Sequence, residues 1–254
     1  MDDAQTPAVP EADRQAWVAR LRRVNEAQED AIDADFDAAW GLIEDDHRDF
    51  LDRFLGKLPP EGGVLDAACG TGKYFPVVLA SGRSLLGVDH SDAHLASARA
   101  KFPDVPIEEQ DLQDLAYRHE FAGVMCVDAM EMIPPEDWPV ILDRFRRALL
   151  PGGVLYLTVE LHRGEWVRRL NEETRRSGIP VVDGEVVSHP EDWVRAANEE
   201  HAPGPHSFYH YFPRLEQVRA WLVETGFAIE AEAEGPWHNG NYAYQHVLAR
   251  TGTT

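Results

Sequence analysis

The chain has 254 residues, 44% of them hydrophobic and 27% charged, a globular profile that excludes a disordered, collagen-like or coiled-coil protein. Its 24 basic and 45 acidic residues leave a formal charge of −21, which repels nucleic-acid backbones and anionic lipid and favours a small-molecule partner. The two cysteines, Cys69 and Cys126, form no CxxC pair, so neither a disulfide framework nor a zinc knuckle is indicated.

Met1-Asp2-Asp3-Ala4 has neither the basic nor the apolar region of a signal peptide, and no apolar run approaches the length of a membrane span. A cytoplasmic protein without membrane attachment is expected. Trp17, Leu21 and Val24 fall at helical spacing and predict a short amphipathic helix. Ile32, Phe36, Trp40, Ile43, His47, Phe50, Phe54 and Leu55 continue a helical period and predict one long helix, ended by Pro59 and Pro60. After Gly62-Gly63 the pattern changes. Val64 to Ala68 is a short buried strand that breaks into Cys69-Gly70-Thr71-Gly72 and a helix to Ala80. Ser84 to Asp89 is the next strand, and Ser91 caps a helix to Lys101. Val105 to Glu108, Phe121 to Val127 and Val154 to Glu160 supply three more strands, with a helix after Pro134-Pro135. Strands and helices in alternation mark a doubly wound parallel sheet. Residues 161–213 break the rhythm with a polar helix near Glu165–Arg176 and a proline-rich stretch. A helix from Leu215, the strand Phe227–Ala233 and the strand Tyr242–Arg250 follow.

The segment richest in chemistry is Val64 to Gly72, a buried strand feeding a glycine turn that opens a helix. Glycine lets the backbone take unusual dihedrals and approach a ligand closely. Such turns sit where ligands bind, at the carboxyl ends of the strands. Asp89, 17 residues after Gly72, ends the next strand and has the chemistry to accept hydrogen bonds from both ribose hydroxyls. A nicotinamide cofactor fits poorly. Phe75 occupies the third glycine position of G-x-G-x-x-G, and Asp66 is unwelcome beside a pyrophosphate but suits a cationic amine.

Five segments in order resemble the class I S-adenosylmethionine-dependent methyltransferases of the small-molecule type. Asp66-Ala67-Ala68-Cys69-Gly70-Thr71-Gly72 is similar to the first motif of that family, with Ala68 in place of its first glycine. Asp89, with His90 beside it, resembles the ribose-binding acid, and Gln110-Asp111-Leu112 resembles the motif that meets the adenine amino group. Cys126-Val127-Asp128 resembles the end of the fourth strand near the methionine moiety. Leu150-Pro151-Gly152-Gly153 resembles the turn into the fifth strand. The resemblance implies S-adenosylmethionine as cofactor and S-adenosylhomocysteine as product. It implies a Rossmann-like α/β fold, doubly wound, with a seven-stranded sheet whose last strand is antiparallel. Asp66, Ala67, Gly70, Gly72, Asp89, His90, Asp111, Leu112, Cys126 and Val127 would form the cofactor site.

The acceptor side is less constrained. His206-Ser207-Phe208-Tyr209-His210-Tyr211-Phe212 gathers two histidines and four aromatics, and His206 or His210 has the chemistry of a general base. Tyr209 and Tyr211 are candidate substrate contacts, as is Trp40 from the amino-terminal region; packing on the sheet is the plainer role for Trp40. Glu131, after the fourth strand, is a candidate catalytic residue that would touch the cofactor or the substrate. No acidic cluster argues for a metal. Arg168, Arg169, Arg175 and Arg176 read as a solvated helix face. The expected organisation is an amino-terminal helical cap over residues 1–58 and a methyltransferase domain over 59–254 with a substrate-side insertion near 161–213. The expected activity is methyl transfer to an oxygen or nitrogen of a small-molecule acceptor by a monomer or homodimer. The alternatives are a protein or RNA methyltransferase and a non-catalytic cofactor-binding partner protein.

Overall fold

The computed structural model describes residues 11–29, 41–161, 164–199, 207–235 and 243–253. In chain order the helices are α1 (Glu11–Glu29), α2 (Asp45–Lys57), α3 (Phe75–Ala80), α4 (Asp92–Lys101), α5 (Trp138–Ala148), α6 (Gly164–Arg176), α7 (Pro190–Glu199) and α8 (Leu215–Glu224). The strands are β1 (Gly63–Ala67), β2 (Leu85–Asp89), β3 (Ile107–Glu109), β4 (Phe121–Cys126), β5 (Leu149–Glu160), β6 (Glu185–Val187), β7 (Tyr209–Tyr211), β8 (Phe227–Glu234) and β9 (Tyr244–Thr251).

Seven strands form the main sheet in the order β3-β2-β1-β4-β5-β9-β8. The chain starts in the middle, winds outward to β3, then returns beyond β1 to lay down β4 and β5. β1 pairs in parallel with both β2 and β4, so the strand order reverses at this point. β9 runs antiparallel between β5 and β8. The expected doubly wound sheet with an antiparallel last strand is therefore present. A ligand crevice opens where the carboxyl ends of β1 and β4 diverge into opposite crossovers.

Alternation along the strands splits the core between the two faces. Leu65 and Ala67 point toward the layer of α1, α5 and α8, with Trp17, Leu21, Trp138, Phe145 and Val218. Val64 points toward α2 and α3, with Phe50, Phe54, Phe75 and Val78. Ser91 caps α4 as expected, its hydroxyl accepting from the His94 N–H. The 161–213 stretch holds more order than its prolines imply. β6 and β7 form a two-stranded antiparallel sheet, and Trp193 of α7 packs edge-on against Trp17 of α1 at 5.3 Å.

One helix differs from its periodicity. Residues 41–44 are not helical, and α2 begins only at Asp45. Asp45 and Asp46 occupy its first turn, where the helix dipole favours negative charge. The apolar spacing runs through this break because Ile43 still packs on the core from a non-helical segment. Ile32, Phe36 and Trp40 lie outside the described residues. No helix among the described residues is long and apolar enough to cross a membrane.

Candidate active site

The turn after β1 is held in a high-energy backbone form. Ala68 has φ +63°, Gly70 +52° and Gly72 +84°. A side chain at Gly72 would also collide with the Phe102 ring, at 2.9 Å from its Cβ. Ala68 adopts the left-handed form without glycine's freedom, at a strain of about 1–2 kcal/mol.

Asp89 sets the shape of this turn. One carboxylate oxygen accepts from Gly70 N–H at 2.8 Å and the other from Ser91 N–H at 3.0 Å. Burial works against the charged form, but these bonds and His94 beside it hold the pKa below the usual carboxylate range. Each oxygen keeps lone-pair capacity toward the crevice, as a ribose diol requires. Asp66 lies behind the turn, fully buried, with Oδ2 unbonded among the described residues. Burial, with the charges of Asp89 and Asp128, raises its pKa to about 8. A cationic amine near this turn would favour its ionised form, so the polar set fits a nucleoside bearing an amino-acid tail.

Asp128 follows β4 with φ +56°. Its carboxylate accepts from Tyr74 Oη at 3.0 Å and Lys73 Nζ at 3.2 Å, and lies 3.2 Å from His47 Nε2. These partners outweigh burial and hold its pKa at about 2. Behind it, His246 bridges Tyr156 Oη at 3.0 Å and Asp46 Oδ2 at 3.1 Å. Asp46, His47 and His246 place ligand-type atoms within 4.8 Å of one another. The hydrogen bonds to Asp128, Tyr156 and Asp46 already engage them, so they read as the anchor of α2 to the sheet.

The crevice encloses about 910 Å³, within the range of small-ligand sites. It runs from Asp89 and Asp111 past the β1 turn and Asp128 to Glu160 at the end of β5 and His210 on β7. Glu160 is buried, and its Oε2 lies 2.7 Å from His210 Nε2. The ring is not aligned for a linear hydrogen bond, so the contact is a close approach of the two groups and not a hydrogen bond. Phe212 stacks on the other side of His210, with centroids 4.1 Å apart.

Of the residues expected at the site, Gly70, Asp89, His90, Asp111, Leu112, Val127, Glu131 and His210 line this crevice. Asp66, Ala67, Gly72 and Cys126 stand behind its wall. Tyr209 and Tyr211 do not reach it, which corrects the sequence expectation. Strand alternation sends them to the opposite face of β7 from His210. Tyr209 Oη donates to Glu185 Oε1 at 2.6 Å, and Tyr211 packs against Trp138 and Trp221. His206 and Trp40 lie outside the described residues. Lys73, Tyr74, Glu160 and Trp166 also line the crevice and are not singled out by the sequence. Glu160 carried a usable signal, since an acid ending a buried strand at its carboxyl end stands where ligands bind.

The family described as a methyltransferase domain matches residues 64–153. A trans-aconitate 2-methyltransferase of Acidovorax sp. (strain JS42) is 31% identical over 187 residues, covering 66% of this chain and 69% of that protein. A dTDP-3-amino-3,6-dideoxy-alpha-D-glucopyranose N,N-dimethyltransferase of Streptomyces fradiae is 29% identical over 202 residues, 72% of this chain and 76% of that protein. The structure of 1,6-didemethyltoxoflavin-N1-methyltransferase of Burkholderia thailandensis, with 1,6-didemethyltoxoflavin and S-adenosylhomocysteine bound, matches in fold with a TM-score of 0.59 at 15% identity, over 99% of this chain and 93% of that one. The chain belongs to the class I S-adenosylmethionine-dependent methyltransferases. It is an enzyme, and S-adenosylmethionine is its cofactor.

Proposed function

We propose that the chain methylates an oxygen or nitrogen of a small-molecule acceptor bound at the Glu160–His210 end of the crevice. The observation that carries this reading is the pair of a buried carboxylate, Glu160, and a half-buried imidazole, His210, lining the same crevice as the cofactor turn. β2 and β5 are separated by β1 and β4, so Asp89 and Glu160 stand three strand spacings apart, roughly 14 Å. Asp89 would hold the ribose, Asp111 the adenine, and Gly70 would allow close approach. Asp66 would favour the methionine amine from behind the turn. When bound, the cofactor supplies an electrophilic methyl group on a sulfonium.

His210 supplies the base that a protonated nucleophile needs. Glu160 lies against His210 on the crevice wall, which fixes the ring beside a bound acceptor. Trp166, Phe208 and Phe212 give the acceptor end an aromatic lining. Orientation does much of the rest, on the order of 7–11 kcal/mol in favourable cases. The relatives named above act on a carboxylic acid and an amino sugar by their names, which supports a small acceptor. The charge of −21 favours such a molecule over RNA, and a cytoplasmic setting as monomer or homodimer completes the reading.

The test is His210→Gln. Its kcat is expected to fall by roughly 10²–10⁴-fold. Affinity for S-adenosylhomocysteine, read by calorimetry, is expected to be unchanged. An unchanged kcat would remove His210 from the chemistry.

A further inference from the structure

Resting on that reading, we propose that the acceptor is a planar aromatic compound, seated on a stripe of rings along β7 and carrying the methylated oxygen or nitrogen on its own ring. The stripe follows from strand geometry. Phe208, His210 and Phe212 stand at alternate positions, so an extended backbone sends all three to one face, and all three line the crevice. The pairing outlasts β7 itself at both ends. Ser188 N–H donates to the Phe208 carbonyl and Phe212 N–H to the Gly184 carbonyl, both at 2.9 Å.

Two of the three rings are held by the protein. Phe212 stacks on His210 with 20° between their planes, and Trp166 of α6 meets Phe212 edge-on at 5.7 Å. Phe212 is buried with Val167 and Val186. Phe208 differs. It is 53% exposed, so folding leaves much of its surface uncovered, yet it lies on the crevice wall. An apolar ring left open at the end of such a stripe is surface for a ligand to cover. A planar aromatic gains there by burial and again by stacking on ring faces. A saturated ring gains by burial alone. A sugar gains less, since each hydroxyl taken from water needs a polar partner.

The aromatic class also suits the base. A hydroxyl on an aromatic ring ionises at about pH 10, closer to imidazole than an aliphatic alcohol does. The ring-borne O–H or N–H gives its proton to His210. The electron pair of that oxygen or nitrogen forms the bond to the methyl carbon while the carbon–sulfur bond breaks. Sulfur keeps the bonding electrons, so S-adenosylhomocysteine leaves neutral at sulfur and a neutral acceptor stays neutral once methylated. His210 then returns its proton to solvent.

The experiment is calorimetry on the full chain loaded with S-adenosylhomocysteine, using 2-naphthol and decahydro-2-naphthol, which share one carbon skeleton and one hydroxyl. The saturated probe is at least as apolar, so burial alone cannot favour the naphthol. 2-Naphthol is expected to bind about tenfold tighter or more. Phe208→Leu keeps an apolar side chain and removes the ring. It is expected to weaken 2-naphthol by about threefold or more and to leave decahydro-2-naphthol and S-adenosylhomocysteine unchanged. The wild-type comparison stands without the variant, should Phe208→Leu fold poorly. Equal binding of the two probes would overturn the inference, as would no probe binding to the loaded chain. A loss in Phe208→Leu that both probes share, or that neither shows, would remove the stripe as the seat. The acceptor chemistries in the relatives' names enter as trans-aconitate and glucosamine, and either one binding more tightly than 2-naphthol would also overturn the inference. If labelled methyl goes to a saturated acceptor and not to an aromatic one, the inference fails while small-molecule transfer stands. If the chain methylates only protein or RNA, the broader reading fails with it.

Discussion

At pH 7 the Asp66 carboxyl is largely protonated in the cofactor-free chain, because burial and the charges of Asp89 and Asp128 raise its pKa to about 8. The linkage has a definite sign. An unfolded aspartate ionises near pH 3.8, so between about 3.8 and about 8 the folded state holds a proton that the unfolded state has lost. Stability therefore falls as pH rises through that window and levels off above it. Asp66→Asn removes the titration. The variant is expected to be more stable than wild type at pH 7 by roughly 1 kcal/mol or more, about 2–4 °C in Tm for a chain of this size. The gain is expected to vanish toward pH 4, and thermal unfolding across that range checks it. The sequence made Asp66 legible as an acid beside a glycine turn. Its isolation was not legible, since Asp89 and Asp128 arrive from other strands. Ala68 is the reverse case: its place in the motif marked a position where glycine is usual, and its φ of +63° shows why.

At the scale of elements, α1 is fastened by a buried network. Arg14 is 6% exposed and forks onto Glu185, which is fully buried, at 2.6 and 2.9 Å. It also meets Glu136 at 2.7 and 2.8 Å, joining α1 to the segments before α5 and around β6. Burial raises the Glu185 pKa despite Arg14 and Tyr209, so its ionised form depends on that pairing. Arg14→Met leaves the carboxylate uncompensated and is expected to cost about 3–5 kcal/mol. Hydrogen exchange should show α1 losing protection first, before the main sheet. Protection of α1 equal to wild type would show that apolar contacts of Trp17 and Leu21 suffice. No reading of the helix in isolation finds this pair, because its members lie 171 positions apart. The same limit explains Tyr209 and Tyr211. Aromatic density marked the segment as special, but only the pairing of β7 with β6 decides which alternate residues face the crevice. The early start expected for α2 failed for a related reason, since apolar spacing survives a non-helical entry whose residue still packs on the core.

Across the whole molecule, the sheet and the cofactor end were legible because their signals are local. A strand, a glycine turn and an acid at the next strand end fall within 27 residues, from Gly63 to Asp89. The proposed acceptor end draws on Glu160 and His210, which separate segments bring to one crevice, so no single motif announces it. On the proposed reading, one crevice binds the cofactor at its β2 end and does acceptor chemistry at its β5 end. Calorimetric titration with S-adenosylhomocysteine tests it most directly, on wild type, Asp89→Ala and His210→Gln, with NAD as the control ligand. At least about a tenfold loss of affinity is expected in Asp89→Ala, with wild-type affinity in His210→Gln and no response to NAD. Wild-type affinity in Asp89→Ala, or its collapse in His210→Gln, would contradict that division of the crevice.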